Sequence, residues 1–357
     1  MKKLLALLLA VTMLLCLTAC GNDTAPKSND KTDTTGVTTA ATTAEGTTAT
    51  TTQTETTTST EGTTTTTTAT TTATQSTATQ STTITTQPTA TKPTEPPKNT
   101  GNVPKSIKIL SVGNSFSVDA MYNYLYQMFE AAGCTDIRLG ILYIGGASID
   151  THYDNVRLDR AKYDYYENVN GNWTVTPEYK ASTAFALTDW DIVTLQQASP
   201  DSGRPISYEN LNTLIDLMRP QIGDAKLYWH MTWAYQQDST HPSFPNYNKD
   251  QMRMYRGIID ATKRRIVDNE NFVGYFPCGT AIQNLRTSSL GDTLTADGYH
   301  LNDTGDYTAS LTWFCYLTGA DAETMSFCPM TILPHFAEIA EAVNNAIQTP
   351  LAITECE

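Results

Sequence analysis

The chain has 357 residues, 39% hydrophobic and 17% charged, with a formal net charge of −14. The low apolar fraction comes from residues 31–100, where 37 threonines leave too little apolar surface to offset the entropy of ordering the backbone. Residues 104–357 carry 17 Lys+Arg against 30 Asp+Glu and no basic tract, which argues against nucleic acid or an anionic lipid surface as a partner and leaves neutral ligands open.

The first segment in chain order is an address. Lys2 and Lys3 precede an apolar run over 4–17 that is too short for a stable transmembrane helix. Leu17-Thr18-Ala19-Cys20 follows, and this order of basic start, apolar run, small residues and cysteine resembles the bacterial lipobox. The resemblance implies a signal peptide over 1–19, cleavage before Cys20 and a diacylglycerol on its thiol. That would hold the protein on a bacterial membrane with its domain at the cell surface. Residues 20–103 read as the lipidated cysteine and a disordered Thr-rich tether. The Thr run at 63–68 and Pro88, Pro93, Pro96 and Pro97 favour extended backbone, and as a coil the segment spans about 50 Å. The remaining residues, 104–357, are enough for one large α/β domain.

Within that domain, 106–112 predicts a strand broken by Gly113-Asn114-Ser115. Met121, Leu125, Met128 and Phe129 have helical spacing and predict a helix over 118–132, closed by Gly133. Strands follow at 137–144, ending at Gly145-Gly146, and at 191–195, ending at Gln196-Gln197. A helix over 211–222 leads to a strand at 226–229, with His230 and Trp233 just beyond. An amphipathic helix over 250–268, a fifth strand at 272–276 and closing helices over 305–317 and 336–347 complete the pattern. Alternating strands and helices predict an α/β fold with a parallel sheet covered on both faces.

Residues 152–188 interrupt the alternation with Tyr153, Tyr163, Tyr165, Tyr166, Trp173 and Tyr179, and Asn170-Gly171 predicts a hairpin turn. Those rings either pack the insert onto the domain or form a wall for sugar rings. Five cysteines remain: Cys134, Cys278, Cys315, Cys328 and Cys356. An odd number with no C-x-x-C points to neither a disulfide framework nor a structural zinc site, and Cys315, within an apolar run, reads as core.

Ligands of parallel sheets collect beyond the carboxyl ends of the strands. Ser115 sits there, either as a helix cap or as a nucleophile. Asp297-Gly298-Tyr299-His300 places a carboxylate three residues before an imidazole, a spacing that can hold the ring through Nδ1 and leave Nε2 as a base. His230 and His241 also follow a strand end; His230 reads best as a packing residue.

Taken together, Gly113-Asn114-Ser115, a glycine after the second strand, an amide after the third and Asp297-x-x-His300 resemble the SGNH (GDSL-like) hydrolase superfamily. The nearest pattern is a bacterial domain of unknown function within it (DUF4886-like), with G-N-S-F-S, Y-I-G-G-x-S and D-G-x-H-L blocks. The resemblance covers about residues 106–318. It implies a flavodoxin-like three-layer α/β/α sandwich with about five parallel strands, and an ester hydrolase that needs no metal or cofactor. By position, Ser115 matches the nucleophile, His300 the base and Asp297 the residue that orients it. Backbone N–H groups of Ser115 and Gly146 match oxyanion donors. Gln196 or Gln197 stands where most members have an asparagine donor, Gln196 being nearer the strand end, and Asn114 replaces the usual aspartate of G-D-S. The expected activity is an extracellular serine esterase that removes acetyl or another small acyl group from carbohydrate. A catalytically weak glycan-binding surface lipoprotein is the alternative.

Overall fold

The computed structural model describes residues 100–357. The signal peptide, Cys20 and nearly all of the tether lie outside the described residues.

Strand β1 (Ser106–Gly113) lies at the middle of the sheet. Ile107, Ile109, Leu110 and Val112 are all buried, and such a near-continuous apolar run suits a strand covered on both faces. The other strands are β2 (Asp136–Tyr143), β3 (Ala161–Val169), β4 (Asn172–Lys180), β5 (Ile192–Leu195), β6 (Lys226–His230) and β7 (Gly274–Phe276). They form one seven-stranded sheet in the order β4-β3-β2-β1-β5-β6-β7. Five of them, β2-β1-β5-β6-β7, run parallel, as the alternation of elements predicts.

The insert adds the other two strands. β3 pairs antiparallel with β2, and β4 with β3, around the Asn170-Gly171 turn. Its aromatic residues pack. Tyr163 and Tyr165 are buried, Tyr165 stacks on Tyr179, and the Trp173 ring stacks on Tyr122.

Helices α1 (Ser115–Met121), α2 (Leu125–Ala131), α7 (Cys278–Leu285), α8 (Asp303–Thr318) and α9 (Phe336–Gln348) pack together. A second group is α3 (Ile149–Arg157), α4 (Ala181–Phe185) and α5 (Leu211–Ile222). With the sheet between, this is the three-layer fold. α8 is buried almost all round, so it shows no polar stripe, and Asn302 caps its start by accepting from the Gly305 N–H.

Four details differ from the sequence expectation. The helix expected over 118–132 starts earlier, at Ser115, and is broken after Met121. At the break, the Tyr122 carbonyl accepts from the Trp173 indole and the Asn123 side chain donates to Asp306, so local polar groups turn outward to distant partners. The helix expected over 250–268 ends at Thr262 as α6 (Gln251–Thr262) and continues as a π-turn over Lys263–Val267. The last strand shortens to three residues, and α7 is a helix that the sequence reading leaves out although Cys278, Ala281, Ile282 and Leu285 stand at helical spacing.

Candidate active site

The carboxyl end of β1 delivers Gly113, Asn114 and Ser115 in succession. At Gly113 a Cβ would collide with the Ser117 hydroxyl and crowd the Gln196 side chain, so only glycine leaves room for them. Asn114 caps α1, its Oδ1 accepting from the Phe116 N–H at 3.1 Å while its Nδ2 donates to the Ala147 carbonyl at 3.0 Å. A carboxylate could not make that second bond, which ties the end of β1 to the loop after β2. Ser115 is therefore the first residue of the helix, where its own N–H has no intrahelical acceptor.

The Asp297–His300 segment comes from a tight hairpin loop, bridged at Thr295 and Leu301 and closed by the Ala296 N–H donating to the His300 carbonyl. Gly298 has φ +92°, a left-handed value that glycine adopts without strain, and it also lies too close to Ser239 for a Cβ. The chain thereby folds Asp297 back onto His300. His300 Nδ1 lies 2.7 Å from Asp297 Oδ2, and His300 Nε2 lies 2.8 Å from Ser115 Oγ. Asp297 Oδ1 accepts from the backbone N–H of Tyr299 at 3.1 Å and of His300 at 2.8 Å. Partial burial raises the Asp297 pKa, but the His300 ring and those two N–H groups outweigh it and hold the carboxyl below its ordinary value. With a carboxylate on Nδ1, the ring proton stays there and Nε2 faces the serine hydroxyl as an acceptor.

Three contacts fix this loop against the scaffold. The Trp233 indole donates to the Tyr299 carbonyl at 2.8 Å, and the Gln236 N–H donates to the Gly298 carbonyl at 2.9 Å. Asp119, one helical turn beyond Ser115 on α1, accepts from the Leu301 N–H at 3.0 Å. Thus α1 grips the loop twice, through residues four apart on one helix face. Phe116 stacks on Trp233 at 4.3 Å and meets the His300 ring edge-on. Asp119, Phe116 and Trp233 were not identified as site residues from sequence. The i, i+4 spacing of Ser115 and Asp119 was the available signal for the first.

A cavity of about 310 Å³ opens beside Ser115 and His300, lined also by Tyr143, Gly145, Gly146, Ser199, Pro200, His241 and Tyr299. Gly146 has φ +63°, and among the described residues the N–H groups of Ser115 and Gly146 make no hydrogen bond. A larger cavity, about 1090 Å³, lies at the opposite, amino-terminal ends of the strands around Ile107, Trp190 and Lys226, far from this chemistry.

The two glutamines need correction. Neither lines the cavity beside Ser115. Gln196 is 1% exposed, its Nε2 donates to Asn114 Oδ1 at 2.6 Å, and its Oε1 accepts from Ser117 Oγ and from His230 Nδ1, both at 2.8 Å. Gln197 accepts from the N–H groups of Ile149 and Ala198 and donates to the Ser207 carbonyl and hydroxyl. Both amides hold loops together beneath the site, and neither is placed as an oxyanion donor. Burial pushes His230 down to about 3, which leaves a neutral ring that packs against Trp233 and Trp313, in line with a packing role. All five cysteines of the domain are free, and Cys315 is buried in the core.

A three-layer α/β/α fold thus presents serine, histidine and aspartate in one hydrogen-bonded line at the carboxyl ends of its strands. The chain belongs to the family described as Domain of unknown function (DUF4886), whose model matches residues 108–347. It is similar to a DUF4886 family protein of known structure from Bacteroides uniformis, with 40% identity and a TM-score of 0.67, covering 70% of this chain and 98% of that one. More distant is an acetylxylan esterase from Geobacillus stearothermophilus, solved as a catalytic mutant, with 11% identity and a TM-score of 0.36, covering 58% of this chain and 93% of that one. A likeness that distant carries nothing about activity. No curated protein matches the chain.

Proposed function

We propose that the protein is a serine ester hydrolase. The observation that carries this reading is the unbroken line Ser115 Oγ–His300 Nε2 and His300 Nδ1–Asp297 Oδ2, at 2.8 and 2.7 Å, on the rim of a cavity. Ser115 Oγ attacks the ester carbonyl as its proton passes to His300 Nε2. The carbonyl oxygen becomes an oxyanion within reach of the Ser115 and Gly146 N–H groups. Collapse of the tetrahedral intermediate expels the alcohol, which takes the proton from His300. Water, deprotonated by the same nitrogen, then releases the acid from Ser115. Asp297 keeps the imidazole oriented and stabilises its positive charge.

The substrate we propose is a carbohydrate bearing acetyl or another small acyl group. A cavity of about 310 Å³ is at the small end of ligand sites, and its lining of Gly, Ser, Asn, Tyr and His, with Phe116 and Pro200 as its apolar side chains, suits a small acyl group. The proposed setting is the bacterial cell surface, with Cys20 lipidated and the Thr-rich tether giving the domain reach. A fluorophosphonate probe tests the reading directly. The unaltered domain should label at Ser115 and the Ser115→Ala variant should not. Absence of labelling in the unaltered domain would favour a glycan-binding lipoprotein instead.

A further inference from the structure

His241 lies on the rim of the same cavity without belonging to the Ser115–His300–Asp297 line. Its surroundings define its chemistry. The Ser243 N–H donates to His241 Nδ1 at 3.1 Å. A backbone N–H can only donate, so Nδ1 is the acceptor and a neutral ring carries its single proton on Nε2. The ring is held between Tyr235 and Tyr299, with centroids 4.6 Å from each. The loop that carries it is itself fixed, since the His241 N–H donates to Ser239 Oγ and the His241 carbonyl accepts from the Phe244 N–H. Partial burial, with the neighbouring His300 adding to it against the opposing pull of Asp297, holds this imidazole below its ordinary value and favours the neutral form. Nε2–H makes no hydrogen bond among the described residues.

The sheet order shows which part of a substrate this donor meets. Gly146 follows β2, on one side of β1, whereas His241 follows β6, two strands away on the other side. Gly146 and His241 therefore approach the cavity from opposite sides of Ser115. Tyr299, whose ring lies 4.2 Å from that of His300, stands on the His241 side. His300 Nε2 is the nitrogen that returns the proton to the departing alcohol.

We propose that His241 recognises the alcohol half of the ester, its Nε2–H donating to a hydroxyl or ring oxygen of a polyol, with the Tyr299 ring beside it. The proposal deepens the esterase reading and rests on it. It makes His241 a specificity-determining residue for sugar esters that has no role in attack on the carbonyl.

The test compares two acetyl esters that differ only in their alcohol, p-nitrophenyl acetate and an acetylated methyl xyloside, for the unaltered domain, His241→Phe and His241→Gln. Phe keeps a ring between the two tyrosines but has no donor, whereas Gln restores an N–H. Loss of one substrate hydrogen bond lowers kcat/KM by about tenfold. His241→Phe should show that loss on the xyloside, mostly through KM, and stay within about threefold on p-nitrophenyl acetate. His241→Gln should recover most of it. Equal losses on both esters would make His241 a structural prop and overturn the proposal, as would no loss on either. If the unaltered domain hydrolyses neither ester, the esterase reading fails and this proposal falls with it. Turnover of both esters with an indifferent His241→Phe would sink the proposal alone.

Discussion

Two histidines of this protein each direct Nδ1 at a side-chain oxygen, at nearly the same distance, with opposite outcomes. His300 faces Asp297 at 2.7 Å in a loop where its side chain keeps 34% of its exposure. His230 faces Gln196 at 2.8 Å and is 1% exposed. The carboxylate can balance an imidazolium, and the open side lets Nε2 meet a substrate. The amide offers no charge, and burial drives His230 down to about 3, so it serves only as a neutral hydrogen-bond donor within a buried polar chain. That chain runs from Thr194 through Ser111 and Ser117 to Gln196 and Asn114, directly beneath Ser115. Geometry alone does not make a catalytic histidine; the charge of its partner and access for a reactant do.

The largest effect that would break this comparison is on rate. Ser115→Ala should leave less than about a hundredth of the turnover of a short-chain aryl ester, with little change in melting temperature, because it gives up one hydrogen bond to a His300 loop that Trp233, Gln236 and Asp119 still hold. The buried chain should behave in the reverse way. Gln196→Leu takes the acceptor from the Ser117 hydroxyl and from His230 Nδ1 and removes one of the two donors to Asn114 Oδ1, and should cost roughly 2–4 kcal/mol of stability in urea unfolding, with activity falling as a consequence. A stable Gln196→Leu domain would refute the structural role assigned to that amide.

A third buried group sharpens the contrast through pH. Burial, with the nearby Asp119 charge adding to it, pushes Asp306 up to about 8, and burial also pushes Asp119 up to about 6. Between the ordinary value of 3.8 and about 8 the native protein holds an Asp306 proton that the unfolded chain has released, so stability falls as pH rises through that window. Asp306→Asn removes this group's titration and keeps an oxygen for Asn123. It should raise stability at pH 8 by roughly 1–3 kcal/mol and flatten the dependence, as thermal melts from pH 4 to 8 would show. The smallest effect concerns the acyl group. Across C2, C4, C8 and C12 p-nitrophenyl esters, kcat/KM should fall beyond C4, and a rise toward C8 would point to an apolar channel and a lipase.

Much of this was legible in the sequence for physical reasons. The five parallel strands show as short apolar runs because both faces are covered, and Asp297 and His300 show because their bond is local. What was hidden depends on distance along the chain. Gln196 stands at a strand end as a donor to substrate would, but its partner Asn114 is 82 positions away and turns it inward. The break after Met121 depends on Trp173, 51 positions beyond Tyr122. His241 reads as one residue of a polar loop until Ser243, Tyr235 and Tyr299 surround it.

The hairpin of β3 and β4 also governs how the sheet meets other chains. An uncovered strand edge is a template for pairing and aggregation. Here one edge is β4, which contains Pro177, has no N–H at that position, and holds Glu178 at φ +52° where the register with β3 shifts. The other edge is β7, only three residues long. Both borders are thus poor acceptors for an added strand, so copies of the domain crowded together have little means of joining sheet to sheet.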